Sequence, residues 1–351
     1  MPLDSAPSPV KPLPVRVAVL GVGSLGKEHA RIYAELSRIH AAELVGVFDT
    51  QTEAARLHAS KNGVRAFTSV DEAAAACDAL SVVTPTSTHF ELARQLLGQG
   101  KHLLVEKPMT DRADQAEELV NLARDRGLIL QVGHVERFNP VYSYLEQVVT
   151  SPRFIECHRL SPYPARSTDI GVVLDLMIHD LDVVMAFVKS PIVQIDAVGI
   201  PVLSASEDIA NARLRFANGC VANLTASRIS PERMRKIRVF SGGSQPAYIS
   251  LDYRAQEGFI YRLARDGESE SSLFKKLLLS KESTIVSEFA GKRIVREPVP
   301  ITKEAPLKLE LAHFVDCVGK RQTPRVSGDQ AKAALDVAFE IARQIRAGGE
   351  V

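Results

Sequence analysis

The chain has 351 residues, 45% of them apolar, and its 43 lysines and arginines nearly balance 42 aspartates and glutamates. That length suits about two domains with sizeable cores, and the near-neutral balance argues against general electrostatic capture of nucleic acid or of an acidic membrane surface. The four cysteines, at 77, 157, 220 and 317, lie far apart with no Cys-x-x-Cys, which reads as buried small hydrophobes in a reducing compartment, not as a disulfide or zinc framework.

Residues 1–14 carry prolines at 2, 7, 9, 12 and 14 and no apolar block, so they are expected to be a disordered tail and not a signal peptide. Short β-branched runs then alternate with amphipathic stretches. Val15–Leu20 predicts a first strand, Leu25–Ile39 a helix and Glu43–Asp49 a second strand. Further strands are expected at Arg65–Thr68, Ala79–Thr84, His102–Glu106 and Leu128–Val132, with helices between, the pattern of βαβ units in a parallel sheet. After Asn139 the texture changes. Phe154–Leu160, Ile192–Ile200, Ala212–Phe216, Gly219–Ile229, Lys236–Ser241 and Tyr248–Tyr253 follow one another between turn residues, which predicts a mostly antiparallel sheet. The apolar stretch Val172–Val188 predicts a helix, but Asp175, His179, Asp180 and Asp182 interrupt it, a composition the bilayer core does not accept cheaply. Two helices are expected to close the chain, near Lys308–Gly319 and Asp329–Ala347. The fold class expected is therefore α/β: a dinucleotide-binding Rossmann domain over 15–137, then a substrate-binding and oligomerisation domain over 138–351, whose last helices are free to pack back on the first. A cytoplasmic location is expected.

Gly21-Val22-Gly23-Ser24-Leu25-Gly26 follows the first strand and opens a helix. In such a loop Gly21 permits the tight turn, Gly23 lets backbone approach a pyrophosphate, and Gly26 lets helix and strand pack closely. Asp49, at the end of the next strand, suits the adenosine ribose hydroxyls and repels the extra phosphate of NADP, so NAD is favoured over NADP. Thr84, Pro85, Thr86 and His89 follow the fourth strand, and Glu106 and Lys107 the fifth; carboxyl ends of parallel strands line the ligand crevice. Thr84 or Thr86 is expected to bond the cofactor, or to cap the following helix. Lys107 is placed to polarise a substrate hydroxyl or carbonyl, with Glu106 fixing the ribose or the lysine. Helical periodicity would align Asp175, His179 and Asp182 on one face. A carboxylate and an imidazole in so apolar a helix want partners, and a histidine has the intrinsic pKa to take a proton from an alcohol. A core histidine bonded to its own Asp175 or Asp182 is the plainer alternative. No third ligand stands at metal spacing, so no metal is expected.

With Arg137-Phe138-Asn139-Pro140 added, these motifs resemble the Gfo/Idh/MocA oxidoreductase family over nearly everything after the tail. The resemblance implies Lys107, Asp175 and His179 as catalytic residues, with Glu106 beside the nicotinamide ribose. It also implies an open antiparallel sheet in the second domain and homodimers or homotetramers formed through it. The stretches from Gly133 to Pro140 and from Asp175 to Asp182 resemble members that act on nucleotide sugars. UDP-N-acetylglucosamine, oxidised at C3 for lipid A assembly, is the substrate that likeness favours. A diphosphate needs cations, and Arg159, Arg166, Arg228, Arg233 and Arg235 are the candidates. His134, Arg137 and Asn139 are expected to border the substrate cleft, and Met177, where many relatives carry glycine, to narrow the sugar pocket. Other readings are a dehydrogenase or reductase of a free polyol or aldose, an NAD-dependent glycosidase, and a dinucleotide-sensing regulator.

Overall fold

A computed structural model describes residues 13–163, 170–243, 246–264, 284–289 and 292–348. The chain divides into two compact units. One takes the residues up to Glu106 with Asn121–Gln131 and Leu311–Pro324; the other takes Lys107–Val120, Val132–Glu310 and everything from Arg325. A single boundary after residue 137 therefore does not describe the division. The chain crosses between units several times, because the strands and helices completing each core are not contiguous in sequence.

The first unit is built on strands β1 (Arg16–Leu20), β2 (Glu43–Phe48), β3 (Arg65–Ala66), β4 (Ala79–Val82), β5 (His102–Glu106) and β6 (Leu130–Gly133). Its sheet runs in the order β3-β2-β1-β4-β5-β6, and the registers of β1 with β2 and β4, of β2 with β3 and of β4 with β5 are parallel. Helices α1 (Gly26–Arg38), α2 (Thr52–Asn62), α3 (Val70–Ala76), α4 (His89–Gly98) and α5 (Ala113–Asp125) connect the strands. Parallel strands covered on both faces need apolar side chains on both. Accordingly Val17, Ala18, Val19 and Leu20 of β1 and Leu103, Leu104 and Val105 of β5 are all 0% exposed. The order reverses between β1 and β4, and an open α/β sheet binds its ligand at that switch point.

The second unit carries a nine-stranded sheet. Its strands are β7 (Pro152–Leu160), β8 (Ile192–Ile200), β9 (Ile209–Phe216), β10 (Val221–Ser227), β11 (Met234–Ser241), β12 (Ala247–Asp252), β13 (Glu257–Leu263), β14 (Thr284–Phe289) and β15 (Lys292–Pro298). They lie in the order β14-β15-β13-β12-β11-β7-β10-β9-β8. Neighbours are antiparallel apart from β7 with β10. The last three strands went unforeseen in the sequence, where Glu257–Leu263 and Lys292–Pro298 mix charged and apolar residues without clean alternation. Helix α6 (Pro140–Val148) was also unforeseen, although Asn139 caps it by accepting from Val141 N at 3.1 Å and Pro140 fills its first position. On β9, Ala210, Ala212, Leu214 and Phe216 are buried while the residues between are exposed. One face of the sheet thus meets α7 (Ile178–Val188), and the other carries the exposed residues of β9. The helix Gly328–Gly348 packs on β8 and α7.

The helical stretch expected over Val172–Val188 is not uniform. A wide turn occupies Val173–Met177, where Ile178 N donates to Val173 O, five residues back, and α7 continues from it. Wide turns of this kind concentrate at functional sites because they break the four-residue ladder and free backbone groups.

Candidate active site

In the first unit the glycine loop shows why each glycine is needed. Gly21 has φ +84°, and a Cβ there would lie 2.5 Å from Val83 O; one at Gly26 would lie 1.9 Å from Gly21 O. Gly23 differs, since a Cβ there would meet nothing within 4 Å. Its bareness serves no internal packing, which suits backbone that must come close to a dinucleotide pyrophosphate. At the start of α1, Leu25 makes no side-chain cap bond, so the helix presents its N–H groups and its positive end to an anion. The residues present fit the cofactor.

Asp49 holds the loop in place. Its Oδ2 accepts from Val22 N at 2.8 Å and its Oδ1 from Gln51 N at 2.8 Å, which leaves a lone pair on each oxygen for a further donor. Thr84 and His89 brace the following loop. His89, 1% exposed, meets Thr84 O through Nε2 at 2.9 Å, and Thr88 Oγ1 donates to Thr84 Oγ1 at 2.7 Å. Glu106 at the end of β5 is 7% exposed and meets His29 Nε2 at 3.1 Å. His29, on α1 and 0% exposed, escaped the sequence reading. Its place three residues beyond Gly26, on the buried side of α1, was the available signal.

The second unit gathers Lys107, Asp175, His179 and His134. Lys107 Nζ donates to the Asp175 carbonyl at 2.5 Å and to its Oδ1 at 3.2 Å, with both side chains less than one-fifth exposed. The wide turn presents that carbonyl and carboxylate together. His179, four residues on, stands edge-to-face with His134, their ring centroids 6.1 Å apart at 88°. The Nδ1 atoms of both rings are buried without a hydrogen-bond partner. Burial and the nearby Lys107 charge hold His179 well below the usual imidazole range. Burial, Lys107 and Arg137 take His134 down to about 3. Both rings are therefore neutral near pH 7. A neutral imidazole beside an ammonium can accept a proton while the ammonium stabilises negative charge on the same oxygen.

Asp182 does not join Asp175 and His179 as the uniform helical period had suggested. Its Oδ1 accepts from Arg137 Nη1 at 3.3 Å inside the protein. Asp182 is 3% exposed, and burial pushes its carboxyl up to about 7 against the opposing pull of Arg137. Arg137 also donates to Arg325 O at 3.2 Å. Asn139 spends its amide on Glu136 Oε2 and Tyr253 O, each at 3.1 Å. Arg159 grips Asp180 with two bonds, at 2.9 and 2.8 Å, and Glu136 with a third at 3.0 Å. Asn139 and Arg159 spend these donors within the fold, and Arg137 does so through both Nη atoms while its Nε stays buried without a partner. Their geometry is that of braces tying the segment after His134 to the helix bearing His179. Arg228 is 0% exposed and bonds Asp208, Ile170 O and Ser204. Met177 is also 0% exposed and packs in the core. Arg166 lies outside the described residues. Among the described residues there is no group of three or more His, Cys, Asp or Glu able to hold a metal, and no helix long and apolar enough to cross a membrane.

Residues 15–134 match the oxidoreductase family with the NAD-binding Rossmann fold, and residues 147–243 match the Gfo/Idh/MocA C-terminal domain. The UDP-N-acetylglucosamine 3-dehydrogenase of Acidithiobacillus ferrooxidans is 35% identical over 328 residues, 93% of this chain and 96% of that protein. A solved structure of that enzyme covers 95% of this chain and 98% of its own at 34% identity, with a TM-score of 0.83. The scyllo-inositol 2-dehydrogenase (NAD(+)) of Bacillus subtilis is 25% identical over 352 residues, 95% of each chain. The myo-inositol 2-dehydrogenase of Lactobacillus plantarum, 19% identical with a TM-score of 0.73 over 95% of this chain and 98% of its own, shares the fold.

Proposed function

Because the chain belongs to the Gfo/Idh/MocA oxidoreductase family, we propose that it oxidises a ring hydroxyl of a nucleotide sugar, UDP-N-acetylglucosamine at C3, to the ketone. The observation that carries the chemistry is the Lys107–Asp175 contact beside a neutral His179. NAD, when bound, supplies the hydride acceptor. His179 takes the hydroxyl proton at Nε2, since its Nδ1 is sealed inside. Lys107 lowers the energy of the developing alkoxide, and Asp175 orients both the lysine and the sugar. His134 keeps the base flanked by a neutral ring, so the proton is not met by another charge at that edge. Asp49, Glu106 with His29 behind it, Thr84, Pro85, Thr86 and the loop Gly21, Gly23, Ser24, Leu25 and Gly26 hold the cofactor. The carboxylate of Asp49 favours NAD over NADP. The similarity to the Acidithiobacillus enzyme over 93% of the chain supports the choice of sugar.

A second reading, a free polyol such as an inositol, draws on the similarity to the Bacillus enzyme. NAD(P)H formation with UDP-N-acetylglucosamine, free N-acetylglucosamine, scyllo-inositol and myo-inositol separates the two. We expect turnover with UDP-N-acetylglucosamine and NAD. Turnover confined to an inositol sinks the nucleotide-sugar reading, and a preference for NADP sinks the role given to Asp49.

The face of the nine-stranded sheet turned from α7 supports a homo-oligomer, dimer or tetramer. Phe154, Phe240, Tyr248 and Tyr261 stack across four adjacent strands with centroid spacings of 5.5, 4.7 and 5.2 Å. A continuous aromatic row on such a face is an association surface.

A further inference from the structure

Among the arginines the sequence offers for an anion, Arg235 is set apart by its surroundings. It stands on β11 directly opposite Arg159 of β7, so both point to the sheet face that meets α7. Two and four residues along the same face, Ile237 and Val239 are 0% exposed. At Arg235 the side chain is 50% exposed, so this is where the face comes out into solvent. The only ion pair it makes among the described residues is a 3.8 Å contact with Glu136 Oε1. That oxygen already accepts from Arg159 at 3.0 Å, and Arg159 also donates one bond to each oxygen of Asp180.

Arg235 thus shares Glu136 with Arg159 and makes no closer ion pair of its own among the described residues. Burial first, then Arg159 and Arg254, pull the Arg235 guanidinium down from its ordinary range against the opposing pull of Glu136 and Asp180. Arg254 sits in the turn after β12 with its side chain exposed, its only described bond being a long one of 3.5 Å to Arg233 O. Backbone joins the two segments, since Tyr253 N donates to Arg235 O at 2.9 Å. Arg235 is also close enough to His179 for its charge to lower that imidazole, which ties the cation rim to the proposed site of chemistry.

We propose that Arg235 and Arg254 form the subsite for the diphosphate of the substrate, reading the anion while Lys107 and His179 work on the ring. The proposal rests on the nucleotide-sugar reading above and deepens it. Two guanidinium forks, one on β11 and one in the adjoining turn after β12, match two linked phosphates, each fork donating to a pair of oxygens. A single sugar carboxylate would need only one of them.

The test compares kcat/KM for UDP-N-acetylglucosamine, free N-acetylglucosamine and glucuronic acid, with NAD, in the wild type, Arg235→Gln, Arg235→Lys and Arg254→Gln. Arg235→Gln is expected to cut the preference for the UDP sugar over the free sugar roughly tenfold to a hundredfold, mostly through KM. Arg254→Gln should do so to a lesser degree and Arg235→Lys least of all. Raising ionic strength should erode the wild-type preference more than that of the variants. Thermal unfolding midpoints of the glutamine variants should match the wild type, as befits half-exposed and exposed side chains. A wild-type preference that both glutamine variants keep within about twofold overturns the subsite alone. A wild type that prefers glucuronic acid, or shows no preference for the UDP sugar, overturns the subsite and the nucleotide-sugar reading together.

Discussion

Lys107 and Asp175 stand 68 residues apart and meet through two hydrogen bonds. Lys107→Ala removes the ammonium and leaves the glycine loop and Asp49 untouched. We expect kcat to fall roughly a hundred- to a thousandfold, while the dissociation constant for NAD, followed by fluorescence titration, stays within about twofold. A variant that turns over like the wild type removes Lys107 from the chemistry. Lys107, Asp175 and His179 were all legible in the sequence, because charged residues closing apolar runs are conspicuous. The partnership between them was not. Nothing in local spacing announces that Lys107 meets the carbonyl of Asp175 as well as its carboxylate, or that His134 stands against His179. That Asn139 and Arg159 meet their acceptors inside the fold is hidden for a related reason: a sequence shows a donor but not the acceptor that consumes it.

Among elements, the two glycine-dependent contacts at β1 and α1 follow directly from pattern, and the structure places both where the sequence put them, while the strand expected over Ala212–Phe216 begins three residues earlier, at Ile209. The wide turn over Val173–Met177 does not follow from pattern, since helical periodicity assumes a constant rise and the change to a five-residue bond is settled by what surrounds the turn. The brace Glu136–Arg159–Asp180 belongs to this scale. Removing one member strands buried charge, so Arg159→Met should destabilise the protein by about 3–5 kcal/mol in denaturant titration. Pairing it with Asp180→Leu should recover part of that loss, because the stranded carboxylate goes too. A single variant as stable as the wild type would show that the brace carries no such load.

For the whole molecule, acid should be the weak side. Unfolded histidines titrate near 6.5. In the fold, burial takes His102 down to about 4 and His134 to about 3, and holds His179 well below its usual range. Between about pH 6.5 and 4 the unfolded chain binds protons that these three refuse, so stability falls on acidification. Each contributes a slope of up to about 1.4 kcal/mol per pH unit. Asp182, pushed up to about 7, acts oppositely, since the fold holds a proton there that the unfolded chain releases above about 4. Three against one leaves a net loss. Urea midpoints from pH 7 to 4 should decline, and His134→Asn should make the decline shallower; a flat profile contradicts these burials. That sheet face with its aromatic row gives a second test at this scale. Phe240→Asp places a charge in the aromatic row and should shift the protein to a smaller species in light scattering, and an unchanged mass rules that face out as the association surface.

The sequence by itself determined the class of each half, the parallel order implied by strand–glycine loop–helix, and which groups are proposed to hold a dinucleotide. These are consequences of short-range rules: periodicity, glycine sterics and the chemistry of strand ends. Only the tertiary structure decided which arginines are braces and which reach solvent, where the helix bearing Asp175 widens, how the second sheet orders its nine strands, and that both imidazoles stay neutral. Those depend on burial and on which carboxylate reaches which guanidinium, and both arise from residues distant in the chain that folding alone brings within a few ångströms.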